Sequence, residues 1–351
     1  MPRIRFCLDD LAAELGAFEE KALTAAKRLS AWRDDAPVTA PHKVVFARGK
    51  ASLWHFDAST RSVKSPPVLI VYSLVNRPYM ADIDPERSVI RALLARGLDV
   101  YLINWETPTR DDRAHDLATY IEGELDSCVE FIRTSRLVEK ITLLGICQGG
   151  TFSLCYGALH PEKIANLITT VTPVDFHTHE DTLSNLLRNV DVDALVDCCG
   201  NVPGEWLNAT FMALKPLQLS QKKYLDWIAD ADNDTATAMF FAMERWIFDS
   251  PALAGAAFRE FARCFYHDNA LIKGTLHLGG RKVSLAKLQI PILNIFARDD
   301  HIVPPAASRA LRDCVRTQDY RELELPGGHI GIYVGSKARN LLVNSDRKSV
   351  V

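Results

Sequence analysis

A chain of 351 residues with 48% hydrophobic and 24% charged residues can bury a sizeable core and is too apolar to stay disordered. A formal net charge of −3, with no run of basic residues, gives no electrostatic basis for binding nucleic acid. No stretch of about 18 apolar residues is present to cross a membrane, and Met1 to Asp10 lacks the apolar region of a signal peptide, so a cytoplasmic location is expected.

Residues 1–40 carry a mixed-charge helical pattern, Leu11 to Trp32, and read as an arm that can pack on the main domain or on another subunit. Strands are predicted near Val44 to Phe56, Val68 to Tyr72, Val100 to Asn104, Ile141 to Ile146, Leu167 to Val171, Ile292 to Phe296 and Arg321 to Leu325. Helical runs, including Val89 to Ala95, Leu117 to Arg133 and Ala307 to Cys314, lie between most of them. This alternation predicts an α/β fold: a mostly parallel sheet with helices on both faces, built from residues 41–175 and 289–345. Residues 176–288 interrupt it with a largely helical, aromatic-containing segment that reads as a cap. Leu186, Leu187, Val190, Trp206, Phe211, Met212, Phe240, Phe241, Trp246 and Phe248 are its candidates for closing a site, although most apolar residues in such a segment are ordinary core.

Within that frame, Gly145-Ile146-Cys147-Gln148-Gly149-Gly150 follows the apolar run Ile141 to Leu144 and precedes the helical pattern Thr151 to Leu159. A strand, a G-x-C-x-G turn and a helix form a nucleophile elbow, with cysteine where most such elbows carry serine. Taken alone, the hexapeptide fits equally well a glycine-rich connection with an inert buried cysteine. The later segments decide between the two. Asp300 follows the buried-strand pattern Ile290 to Ala297, and His329 lies in the glycine-flanked loop Pro326 to Gly331 after the alternating Tyr320 to Leu325. Nucleophile, acid and histidine thus come in the chain order of an α/β-hydrolase, each just after a strand. The backbone N–H of Gln148, next to the nucleophile, is the expected first oxyanion donor; the loop Ser73 to Pro78 should supply the second, with Val75 the best candidate.

Eight cysteines in such a chain point to reduced thiols rather than a disulfide framework. Cys7, Cys128, Cys155, Cys264 and Cys314 read as core filler, and the vicinal Cys198 and Cys199 as an oxidation liability. Neither these nor His177 and His179 have partners at metal-ligand spacing, so no metal is assigned.

The longer words of the chain resemble the polyhydroxyalkanoate synthases, most closely the short catalytic subunit of the two-component class III enzymes. They are Leu69 to Met80, Leu144 to Gly150, Thr170 to Phe176, Trp246 to Pro251, Phe296 with Asp300 to Pro305, and Pro326 to Val334, within a likeness running from about Ala40 to Gly335. The resemblance implies polymerisation of (R)-3-hydroxyacyl-CoA, with short-chain 3-hydroxybutyryl-CoA expected, and release of CoA. Cys147 would carry the acyl chain, with His329 as base, Asp300 as acid and His301 as an auxiliary histidine. No cofactor is implied, because CoA is part of the substrate. The implied partners are a second, PhaE-type synthase subunit in a homodimer or hetero-oligomer, and the surface of cytoplasmic polyester granules.

Cysteine suits this chemistry. Exchanging one thioester for another is nearly neutral in free energy, so the acyl group stays activated for the next transfer. An acyl-CoA thioesterase or polyester depolymerase would use the same triad with water as acceptor, but cysteine in place of serine speaks against it. The likeness stops short of the C-terminus: a final amphipathic helix is expected after Val334, whereas Asn344 to Val351 is polar.

Overall fold

The computed structural model describes residues 7–33, 37, 39–57 and 65–335. The polar segment Asn344 to Val351 and the first six residues lie outside that set. Among the described residues ten strands form: β1 His42–Arg48, β2 Ala51–Phe56, β3 Val68–Val71, β4 Val100–Trp105, β5 Ile141–Ile146, β6 Ile164–Thr170, β7 His277–Leu278, β8 Arg281–Lys282, β9 Ile292–Ala297 and β10 Tyr320–Leu325. Eight of them make one sheet in the order β1-β2-β4-β3-β5-β6-β9-β10, and β7 pairs with β8 in a separate hairpin. From β4 to β10 all neighbours run parallel; β1 and β2 are added antiparallel at one edge. The stretch expected to be strand from Val44 to Phe56 is therefore a hairpin, turning at Gly49, whose φ of 56° is left-handed.

Helix α1, Leu8–Ala31, precedes the sheet. α2 Val89–Leu94, α3 Asp126–Arg136 and α4 Gln148–Leu159 connect its strands. Between β6 and β9 come six helices, α5 Thr182–Leu187, α6 Val192–Cys199, α7 Gly204–Leu214, α8 Lys223–Ala229, α9 Asp234–Phe248 and α10 Gly255–Phe261. α11 Pro305–Arg309 and α12 Leu311–Cys314 lead to β10, and α13 Gly331–Val334 follows it.

The parallel strands are apolar without interruption because both faces are covered. In β3, Leu69 and Val71 join a cluster with Val129, Ile132 and Phe152 of α3 and α4, while Val68 and Ile70 join another with Ile90 and Leu93 of α2. Side chains that alternate along a strand thus feed two separate layers. All twelve residues of α4 are buried, so this helix is covered on every side.

The arm lies on the helices that follow β6. Ala25 is buried, Lys21 Nζ donates to the Ala229 carbonyl at 2.6 Å, Arg28 pairs with Asp234 at 2.6 Å, and Trp32 stacks on Phe241 at 5.4 Å. Phe240 and Phe241 are taken up by this packing and by Trp227. Cys128 and Cys155 are buried as expected, but Cys7 is exposed, because it precedes the first turn of α1, where nothing packs on it among the described residues.

Candidate active site

Cys147 stands at the end of β5 with φ 54° and ψ −124°, a conformation that costs an L-residue about 1–2 kcal/mol and must be imposed by its surroundings. Its N–H donates to the Thr170 carbonyl at 2.9 Å, and its own carbonyl accepts from Gly150 at 2.9 Å. The glycines let the chain fold that tightly. A Cβ on Gly145 would collide with the Gly150 backbone, one on Gly149 with the Val71 and Tyr72 carbonyls, and one on Gly150 with the Thr172 side chain. Of these, Gly149 faces backbone from the central strand, which cannot swing aside. Gly149→Ala should therefore cost about 3 kcal/mol in urea unfolding, while Gly16→Ala on the open face of α1, where a Cβ meets nothing, should be neutral or slightly stabilising. Equal midpoints for the two variants would contradict this account.

Asp300 and His329 reach Cys147 from adjacent parallel strands whose following loops are clasped together. Arg298 N–H donates to the Leu325 carbonyl at 2.8 Å, Asp299 N–H to the Gly327 carbonyl at 2.9 Å, and Gly327 N–H to Asp299 Oδ2 at 3.2 Å. Gly327 makes this turn with φ 108°. Asp300 Oδ1 accepts from the N–H groups of Ile302 and Val303, both at 2.9 Å, and Oδ2 accepts from His329 Nδ1 at 2.7 Å. Nε2 of that ring is left for the Cys147 sulfur, which lies within hydrogen-bonding reach. Burial pushes the His329 pKa down, but the Asp300 carboxylate and the sulfur of Cys147 outweigh it and hold the pKa well above the ordinary histidine value. An imidazolium is thus stable beside the thiol.

His301 lines the same cavity. Burial, helped by Lys215 nearby, lowers its pKa, so the ring is neutral where His329 is charged. Its buried Nε2 has no hydrogen-bond partner. Two histidines of one site are thereby set to opposite protonation states.

Gln148 and Val75 both face this cavity. The Gln148 amide opens α4, where no carbonyl of the preceding helical turn exists to accept it. Its side-chain Oε1 accepts from Leu74 N–H at 3.1 Å, and Val75 N–H donates to Ser73 Oγ at 3.1 Å. This loop is also bound to the end of α9: Trp246 Nε1 donates to the Arg77 carbonyl at 2.8 Å, Asn76 Nδ2 to Ser250 Oγ at 2.6 Å, and Arg77 Nε to Asp249 at 3.2 Å. Ser250 in turn donates to Asn208 of α7 at 2.9 Å.

The cavity above Cys147 measures about 390 Å³. Its upper wall is apolar, with Leu187, Trp206, Phe211, Met212 and Trp246 among the expected residues. Leu186, Val190, Phe240, Phe241 and Phe248 are not part of it; Leu186 and Phe248 point to solvent instead. Asp181 is a lining residue that sequence reasoning missed. It caps α5 by accepting from Ser184 N–H at 2.8 Å, and burial pushes its pKa up to about 6. Its signal was the Asp181-Thr182-Leu183-Ser184 start of a helix, which reads as a cap and says nothing of a cavity. Among the described residues, no group of three or more His, Cys, Asp or Glu is placed to hold a metal, and no helix is long and apolar enough to cross a membrane. A thiol, a charged histidine oriented by a buried carboxylate, and the Gln148 amide at an apolar-walled cavity can form and resolve a covalent acyl-enzyme.

The profile of the alpha/beta hydrolase fold matches residues 66–336. The chain is 50% identical over 301 residues to the poly(3-hydroxyalkanoate) polymerase subunit PhaC of Allochromatium vinosum, covering 85% of each chain. It is 46% identical over 333 residues to the protein of that name from Synechocystis sp., covering 92% of this chain and 88% of the relative. Among solved structures, a thermophilic esterase from Thermogutta terrifontis superposes with a TM-score of 0.52 at 16% identity, over 90% of this chain and 97% of the esterase, a likeness of fold alone.

Proposed function

The chain belongs to the PhaC family of poly(3-hydroxyalkanoate) polymerases, and on that footing we propose that Cys147, His329 and Asp300 are the groups that carry its acyl transfer. It is an acyltransferase of α/β-hydrolase fold that builds poly(3-hydroxyalkanoate). The observation that carries the assignment is the unbroken line from Asp300 through the raised-pKa His329 to Cys147 on its elbow.

In the first half-reaction the thiolate of Cys147 attacks the thioester carbonyl of a 3-hydroxyacyl-CoA. The oxyanion is held by the Gln148 amide, joined by Val75 N–H once that group turns from Ser73 Oγ, and the thioester forms as CoA leaves with the proton His329 had taken. In the second, His329 accepts the proton of the 3-hydroxyl of an incoming hydroxyacyl-CoA. The hydroxyl oxygen attacks the Cys147 thioester and Sγ leaves, so the chain, one unit longer, passes to the incoming unit and returns to Cys147 with loss of its CoA. The neutral, unpartnered His301 Nε2, in the tautomer that carries its proton there, is suited to donate a hydrogen bond to the oxygen of that hydroxyl and so to hold it while its proton passes to His329.

Both oxygens of Asp300 are already engaged, one by two amides and the other by His329, which supports an orienting role for this residue over direct activation of the hydroxyl. The small apolar cavity fits short-chain monomers such as 3-hydroxybutyryl-CoA. Work beside a second, PhaE-type subunit at a granule surface completes the reading.

The test is rapid mixing with 3-hydroxybutyryl-CoA, with and without a PhaE-type subunit, following CoA, free hydroxyacid and polymer separately. Wild type should release CoA in step with polymer and yield little free acid. With Asp300→Asn, both the initial CoA burst and steady turnover should fall, by about 10⁴-fold. A retained burst of one equivalent per site, followed by a stall, would return Asp300 to the hydroxyl, and free hydroxyacid as the main product would make the site hydrolytic.

The hydrogen bond from Asn76 to Ser250 ties the loop carrying Val75 to the segment between β6 and β9, which supports control of the second oxyanion donor from there. Ser250→Ala should lower kcat for CoA release about 10-fold, less than the 10²–10³ of losing a donor outright, while alkylation of Cys147 by iodoacetamide keeps its wild-type rate. A parallel fall in both rates would show that Ser250 supports the elbow rather than the loop.

A further inference from the structure

The arm carries a feature that acyl transfer does not use. In α1, Leu8, Leu11, Leu15, Phe18, Ala22 and Ala25 follow one another at spacings of three and four, the repeat of a two-stranded helical seam. Its C-terminal half is spent on this molecule: Ala25 is buried, with Lys21 and Arg28 holding the helix to residues 229–234. The N-terminal half extends past that contact. Leu8 is 75%, Leu11 37%, Leu15 60% and Phe18 45% exposed. Four large apolar side chains in a row at seam spacing on an open helix are costly in water and mark a contact face.

The bordering charges say what kind of partner fits. The positions flanking the exposed stripe are Cys7 and Glu14 on one side and Ala12 and Glu19 on the other, so the charged ones are both glutamates. In a parallel pair of two copies in register, Glu14 of each would face Glu19 of the other, and in an antiparallel pair each would face its own kind. Self-pairing through this half is repulsive either way, whereas lysine or arginine at the flanking positions of another helix would pair with both.

We propose that the N-terminal half of α1 is a docking face for an amphipathic helix of a different protein chain, one whose apolar heptad stripe is bordered by lysine or arginine. A PhaE-type second subunit is the natural carrier of such a helix, and in that identification alone the inference rests on the two-component reading. Docking here would reach the catalytic chamber indirectly, because α1 lies on α8 and α9, and the end of α9 holds the loop carrying Val75.

The test uses the full chain and two labelled synthetic four-heptad peptides with leucine and isoleucine in the seam, one with lysine and one with glutamate at the flanking positions, read by fluorescence anisotropy. The lysine peptide should bind wild type about 10-fold or more tightly than the glutamate peptide. Leu11→Ser with Leu15→Ser should abolish binding, and Glu14→Lys with Glu19→Lys should reverse the preference. Both variants should release CoA at the wild-type basal rate, which shows that they are folded, and Cys147→Ala should bind the peptide unchanged, which separates this face from the catalytic reading. Equal binding of the two peptides, or binding untouched by the serine pair, would overturn the proposal. So would sedimentation showing a dimer that only the serine pair dissociates, since the occupant would then be a second copy. Adsorption to polyester particles lost in the serine pair, without lysine-peptide binding, would overturn it in favour of the polymer surface.

Discussion

Cys147→Ala is expected to lose all polymer formation, at least about 10⁵-fold against wild type, because no other group stands on the elbow to accept an acyl chain. Brief exposure to radiolabelled 3-hydroxybutyryl-CoA should label wild-type protein and leave the variant unlabelled. The fold should be unaffected, since a methyl group fits where Cβ already stands, so urea midpoints should match. Cys147→Ser should keep the geometry and still lose most activity. An alkoxide is harder to form than a thiolate, and an oxygen ester lies lower in free energy than the thioester it came from. Equal labelling of the alanine variant would remove Cys147 from the mechanism.

His329→Ala should come next in size, about 10⁴-fold or more in turnover. The direction of its pH effect follows from the raised histidine pKa. An imidazolium that survives above the ordinary histidine range keeps a positive partner beside the sulfur through neutrality, so wild-type alkylation by iodoacetamide at pH 7 should be much faster than that of the His329 variant. Without the ring the thiol is unassisted, and the rate at pH 7 should be low and recover as the pH is raised. His301→Ala should slow turnover and leave that alkylation profile in place, because its lowered pKa keeps it neutral and its Nε2 has no partner in the triad. Superimposable profiles for wild type and the His329 variant would mean that another group activates the sulfur.

The line from Asp300 through His329 to Cys147 was legible in the sequence because each of its members follows a strand. Apolar runs fix where β5, β9 and β10 end, and the loops after parallel strands open on one edge of the sheet, so Cys147, Asp300 and His329 could be brought together from order alone. The hairpin at Gly49 was missed because a single glycine between two apolar stretches is a weak turn signal. The cap was harder. Helical patterning shows that Phe240 and Phe241 are buried on some face, but which neighbour covers them depends on α1 folding back from more than 200 residues away in the chain. The Gln148 side chain bridging to Leu74, and the Trp246 and Ser250 bonds to the loop before Pro78, join segments with no periodic relation. Local pattern encodes the layers of this fold; the polar bonds that hold the loop from Ser73 to Pro78 are encoded only by the finished packing.

The size of the chamber has a consequence for the product. A space of about 390 Å³ is near the small end of sites that enclose one drug-sized molecule, while the polyester is far longer. Only the last units of the chain can share that space with Cys147; everything made earlier has left. The enzyme then keeps no record of its own output. Offered two monomers together, it should write copolymers in which each addition depends on the terminal unit and the newcomer alone, a first-order Markov sequence. Blocks would arise from changes in monomer supply over time and not from any counting within the protein.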